Sequence, residues 1–120
     1  MTQVLVVDDE LVIREIIATV LRDEGYDVLE ASGGRQMVEV LATAHPHLIL
    51  LDLMMPDGDG QNALHELRSE PSLRDIPVVV MTAGRWSQPL ATPVAGIVTK
   101  PLDIGDLLTT VARFARPLAP

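Results

Sequence analysis

The 120-residue chain contains no cysteine, which excludes disulfides and thiolate metal sites and agrees with a reducing compartment. Aromatic residues are nearly absent: one Trp, one Tyr and one Phe stand against 48% hydrophobic residues, so any core must be aliphatic. No apolar run approaches the length of a membrane span. Met1-Thr2-Gln3 lacks the basic start and long apolar region of a secretory signal, and the expectation is a cytoplasmic protein. Basic runs are missing as well. With a formal net charge of −8 and no clustered Lys or Arg, the chain is not expected to bind nucleic acid directly. Lys100 is the only lysine among nine basic residues. The acidic surplus leaves room for a divalent cation. The length suits one domain over residues 1–120, with Pro117–Pro120 as a frayed tail.

What is present is a series of short aliphatic runs that end in chemistry. Val4-Leu5-Val6-Val7 runs into Asp8-Asp9-Glu10, and Leu48-Ile49-Leu50-Leu51 runs into Asp52. Continuous apolar runs of this length, ended by turn formers, read as strands buried on both faces. Tyr26–Ala31, Ile76–Met81 and Val94–Val98 are the other strand candidates, the last weakened by Gly96. Between the strands lie helical stripes. Ile13, Ile16, Ile17, Val20 and Leu21 mark the first, ended by Gly25. Met37, Val40, Leu41 and Ala44 mark the second, with Ser32 as its expected cap. Ala63, Leu64 and Leu67 mark a third, ended by Pro71. Leu107, Leu108, Val111 and Ala115 mark the last, capped by Asp103. Between Thr82 and Lys100, Pro89 and Pro93 leave room for at most a short or irregular helix. This alternation predicts an α/β domain, a doubly wound parallel sheet with helices on both faces.

In such sheets the ligand lies beyond the carboxyl ends of the strands. Asp8-Asp9, Asp52, Thr82 and Lys100 all fall at strand ends. Three crowded carboxylates repel unless a cation compensates, and Mg²⁺ suits a site of few carboxylates with a phosphate to share. A hydroxyl and an ammonium are donors for anionic oxygens. Carboxylate, metal, hydroxyl and ammonium together describe phosphoryl transfer to an aspartate. His45, His47 and His65 read as surface residues, and helix capping accounts for Asp59.

The motifs Val6-Val7-Asp8-Asp9-Glu10, Leu51-Asp52-Leu53-Met54-Met55-Pro56, Asp59-Gly60, Val80-Met81-Thr82-Ala83 and Thr99-Lys100-Pro101 resemble those of the receiver domains of two-component response regulators, over essentially the whole chain. The resemblance implies a flavodoxin-like five-stranded sheet in order 2-1-3-4-5 and a phospho-accepting signalling switch rather than a metabolic enzyme. It implies that Asp52 takes a phosphoryl group from the phosphohistidine of a histidine kinase or phosphotransfer protein. Mg²⁺ would be held by Asp9, Asp52 and the backbone carbonyl of Met54, with Asp8 acting largely through a metal-bound water. Thr82 would serve as the switch hydroxyl, Lys100 would pair with the phosphoryl group, and the Lys100–Pro101 bond would be cis. An output partner protein is implied without being named, and a homodimer is left open. The rival reading is a receiver-like interaction module that works without phosphorylation.

Two departures from the family pattern favour the rival. The last strand carries Ile97 three residues before the lysine, where an aromatic switch residue is usual, and the 82–100 segment is about one helical turn short. A third departure concerns lifetime. Met54 and Gly84 stand where family members place side chains that orient the hydrolytic water, so slow self-dephosphorylation is expected.

Overall fold

A computed structural model describes residues 2–56, 59–83 and 94–115. In chain order these form β1 (Gln3–Val7), α1 (Leu11–Asp23), β2 (Asp27–Ala31), α2 (Gly34–Leu41), β3 (Leu48–Asp52), α3 (Asp59–Ser69), β4 (Val78–Ala83), β5 (Gly96–Lys100) and α4 (Ile104–Phe114). All five strands are parallel, in the order β2-β1-β3-β4-β5. The expected doubly wound sheet is therefore the architecture found.

The strand period of two divides the aliphatic runs between two cores. Leu5, Val7, Ile49, Leu51, Val78 and Val80 face α2 and α3, where they meet Met37, Leu41, Ala63, Leu64 and Leu67. Val4, Val6, Leu48, Leu50, Val79 and Met81 face α1 and α4, where they meet Ile17, Ala18, Leu21, Leu107 and Val111. A continuous apolar run is what a strand covered on both faces requires. Every residue of β3 is buried, and that includes Asp52.

Helix ends show where local rules hold and where they yield. α1 closes in a Schellman motif: Tyr26 N–H donates to the Leu21 carbonyl at 3.1 Å and Gly25 N–H to that of Arg22 at 3.0 Å. Gly25 takes φ +95°, which a residue with a Cβ rarely adopts. Asp103 caps α4 as expected, its carboxylate accepting from Asp106 N–H at 2.9 Å. Ser32 does not cap α2, which begins at Gly34 with Gly33 preceding it. The N–H of Gly34 is instead met by the carboxylate of Asp59, from the start of α3.

Other expectations shift. Ile16 is 49% exposed, because α1 turns Ile17, Ala18 and Leu21 inward. β4 and β5 run two residues later than the apolar runs suggest, so Thr82 and Lys100 lie within strands. Gly96 begins β5 where the Phe114 ring packs; a Cβ there would stand 3.2 Å from the ring edge. The proposed short helix, with Gly84, Trp86, Pro89 and Pro93, lies outside the described residues, as do Asp57, Gly58 and the Pro117–Pro120 tail.

Candidate functional site

The parallel arrangement brings the carboxyl ends of β1, β3, β4 and β5 to one edge. Asp8 follows β1 directly, its backbone N–H continuing the ladder to the Ala31 carbonyl at 3.1 Å. Its side chain is fully buried, and Oδ1 accepts from Glu10 N–H at 2.9 Å, which folds the β1–α1 turn around the carboxylate. Arg14, one turn into α1, donates to the Asp8 carbonyl at 2.8 Å and tethers the same turn from behind. Asp52 ends β3 with a side chain only 1% exposed. Its Oδ1 accepts from Met54 N–H at 2.8 Å, an Asx-type turn that starts the chain away from the strand.

Lys100 closes the site from β5. Its ammonium donates to Asp8 Oδ2 at 3.0 Å and to Asp52 Oδ2 at 3.1 Å, and stands 3.7 Å from Glu10 Oε1. Each buried carboxylate thus has one oxygen held by a backbone N–H and the other by the lysine. Thr82 is buried on β4, paired in register with Thr99 and next to Met81, the partner of Asp52. It lies one strand over from the aspartate. The Lys100–Pro101 peptide is cis. Ile97 is 54% exposed on β5, and Met54 is 49% exposed.

The electrostatics follow from burial. Loss of water is the largest influence on Asp52 and pushes its carboxyl above the ordinary 3.8; the Met54 N–H opposes this, the Asp8 charge adds to it, and Lys100 opposes it. Burial alone would depress Lys100. The hydrogen bond and charge of Asp8, then those of Asp52, more than offset that and raise it above the ordinary 10.5. The Lys100 ammonium thus faces two buried carboxylates and Glu10, which leaves the site short of positive charge.

That shortage bears on metal binding. Asp8, Asp9, Glu10 and Asp52 each offer a carboxylate oxygen, all within 4.8 Å of one another, two of the side chains buried and two open to solvent. An all-oxygen donor set, half-buried and open on one side, fits a hard divalent cation such as Mg²⁺ that keeps part of its water. Glu10 was not singled out by the sequence reading. Its position directly after two aspartates, at a strand end, was the available signal.

The sequence pattern of the family described as "Response regulator receiver domain" matches residues 4–112. The chain belongs to that family. Receiver domains are signalling switches rather than metabolic enzymes. Among curated proteins, this receiver is 35% identical over 122 residues to the phosphate regulon transcriptional regulatory protein PhoB of Escherichia coli, covering 98% of the chain and 53% of PhoB. It is 43% identical over 81 residues to the probable transcriptional regulator ycf27 of Porphyridium aerugineum, covering 68% of the chain and 32% of that protein. The receiver thus spans about half of PhoB and a third of ycf27. Among solved structures it resembles the receiver domain of a signal transduction histidine kinase from Syntrophus aciditrophicus, with TM-score 0.86 and 30% identity over 96% of this chain and 90% of that one. It also resembles the chemotaxis response regulator CheY4 of Vibrio cholerae, with TM-score 0.83 and 27% identity over 95% and 98% of the two chains. Among the described residues, no helix is long and apolar enough to cross a membrane.

Proposed function

We propose that this receiver is a phospho-accepting switch in which Asp52 takes a phosphoryl group from the phosphohistidine of a histidine kinase or phosphotransfer protein. The supporting observation is the arrangement of Asp52. One carboxylate oxygen is fixed by the Met54 N–H and the other by the Lys100 ammonium, at the end of a strand buried throughout. Such anchoring orients the carboxylate for attack and removes the cost of ordering it during reaction. In the transfer an Asp52 oxygen forms a bond to phosphorus, the bond from phosphorus to the imidazole nitrogen breaks, and the electron pair leaves with the imidazole.

Asp8, Asp9 and Asp52, with Glu10 beside them, would hold Mg²⁺, joined by the backbone carbonyl of Met54. When bound, the cation supplies positive charge to balance the carboxylates and the incoming phosphoryl oxygens. Lys100 is placed to exchange a carboxylate partner for a phosphoryl oxygen, and Thr82 to donate its hydroxyl from the neighbouring strand. Leu11, Val12 and Ile16 lie exposed on α1 just beyond Glu10, so an apolar strip flanks the acidic site, which suits a protein phosphodonor. A longer regulator carrying an effector domain, or a partner protein recruited by the phosphorylated form, would provide the output.

The test is intact mass after incubation with Mg²⁺ and acetyl phosphate, with Asp52→Asn alongside. One phosphoryl group on the wild type, absent from the variant and absent without Mg²⁺, is the expected result. No adduct on the wild type would favour the phosphorylation-independent module.

A further inference from the structure

Asp59 is the first residue of α3, yet its carboxylate serves another helix: Oδ2 accepts from the backbone N–H of Gly34, the first residue of α2, at 2.7 Å. The glycine pair closes around this carboxylate. A Cβ on Gly33 would stand 3.0 Å from Oδ2, and one on Gly34 would stand 2.8 Å from Oδ1. The hydrogen bond is charge-assisted and places an anion at the positive end of a helix, which strengthens it on both counts.

The next residue carries this restraint to the phospho-acceptor. Gly60 is buried against the main chain of β3, where an added Cβ would collide with the Asp52 carbonyl oxygen and stand 2.6 Å from Leu53 Cα. The first turn of α3 therefore rests on the Asp52–Leu53 peptide with no space between them. Close-packed contacts of this kind transmit displacement rather than absorb it. One residue further on, Met54 N–H holds Asp52 Oδ1 at 2.8 Å. A continuous mechanical path thus runs from the α2 terminus through Asp59 and Gly60 to the segment that aims the Asp52 carboxylate.

We propose that the Asp59–Gly34 contact is a latch that presses α3 onto the Asp52–Met54 segment and so sets both the Mg²⁺ affinity of the site and the reactivity of Asp52. Asp59 is a positioning residue, since it acts through Gly60 and the backbone of Asp52. The effect on reactivity rests on the phospho-acceptor reading above; the effect on backbone order and Mg²⁺ binding stands apart from it.

The test compares Asp59→Ala, Asp59→Asn and Gly34→Ala with the wild type. Three readouts are used: hydrogen exchange of the Met54 amide in metal-free protein, Mg²⁺ affinity by calorimetric titration, and the rate of modification by acetyl phosphate. Asp59→Ala removes the acceptor. Asp59→Asn removes the charge but keeps an oxygen for the Gly34 N–H. Gly34→Ala keeps Asp59 and displaces its carboxylate, and it covers the case in which Asp59→Ala fails to fold. The expected result is faster exchange at Met54 and an Mg²⁺ dissociation constant raised about tenfold in Asp59→Ala and Gly34→Ala, the low end for loss of a group that orients metal ligands. Phosphorylation should slow in parallel, with Asp59→Asn, which keeps the acceptor and loses its charge, falling between wild type and Asp59→Ala. Unchanged Met54 exchange in a folded Asp59→Ala or Gly34→Ala variant would overturn the latch. So would an Asp59→Asn variant that matches Asp59→Ala, because loss of charge would then explain the effect. Failure of the wild type to accept phosphoryl would refute the switch reading alone, since exchange and Mg²⁺ binding would still report on the latch.

Discussion

Replacing Lys100 by methionine keeps most of the side chain's apolar stem and removes the one cation that, among the described residues, touches both buried aspartates. The ammonium stands 3.0 Å from Asp8 and 3.1 Å from Asp52, whose side chains are 0% and 1% exposed. At an effective dielectric of about 20, each contact carries roughly 5 kcal/mol of attraction, most of it offset by the cost of drying the ammonium. Breaking such a pair leaves uncompensated buried charge and costs about 3–5 kcal/mol. The low end applies because Lys100 retains 10% exposure and the site opens toward Asp9 and Glu10. With a urea slope of about 1.5 kcal/mol per molar, a loss of about 3 kcal/mol lowers the unfolding midpoint by about 2 M. Mg²⁺ at about ten times its dissociation constant returns about 1.4 kcal/mol. It should bind the variant more tightly than the wild type, since the four carboxylates then lack their competing cation. The assay is urea unfolding of both proteins with and without MgCl₂. A Lys100→Met midpoint within about 0.5 M of wild type, or an Mg²⁺ effect no larger in the variant at the same MgCl₂ concentration, would show that the lysine does not balance the two aspartates.

Asp52→Asn tests the opposite charge. The folded-state pKa of Asp52 lies above its ordinary 3.8, so this group favours folding most at pH below 3.8 and loses that contribution as pH rises through the raised folded value. Asp52→Asn should therefore be more stable than wild type at pH 7, with the gap closing as pH falls toward 4; chemical denaturation across that range checks it, and a gap independent of pH would contradict it. Gly60→Ala should destabilise by about 3 kcal/mol or more, because the new methyl overlaps the Asp52–Leu53 backbone, which cannot give way as a side chain would; thermal unfolding measures it, and a loss below about 1 kcal/mol would show that α3 can slide. Leu50→Ala, at a fully buried site on the α1 and α4 face, should cost about 2–5 kcal/mol by the same measurement. Met54→Asn should speed loss of the phosphoryl group, since an amide at this half-exposed position can orient water and a thioether cannot; an unchanged hydrolysis rate would remove the account of a slow switch.

Much of the fold was legible because it depends on near neighbours. An aliphatic run of four residues divides itself between two faces by the pleat alone, which is why Val4 and Val6 enter one core while Leu5 and Val7 enter the other. The Gly25 helix end and the Asp103 cap are also local, and both were expected. Ser32 and Ile16 misled for the complementary reason. A short-range rule names a competent cap or a plausible stripe, but α2 starts later, where another helix supplies the acceptor, and α1 is rotated by what the sheet offers it. Ends of β4 and β5 ran past their apolar residues because pairing with a neighbouring strand holds Thr82 and Lys100 in the ladder whatever their polarity.

Chain order alone puts carboxylates, a hydroxyl and the sole lysine at strand ends, and the motif set points to the family. How these groups meet depends on the packing of the sheet. Lys100 reaches Asp8 across 92 residues and Asp52 across 48, and Asp59 reaches Gly34 across 25. Spacing along the chain carries no information about such contacts. They exist because parallel strands in the order β2-β1-β3-β4-β5 bring their carboxyl ends to one edge, where charges too costly to bury alone are buried together.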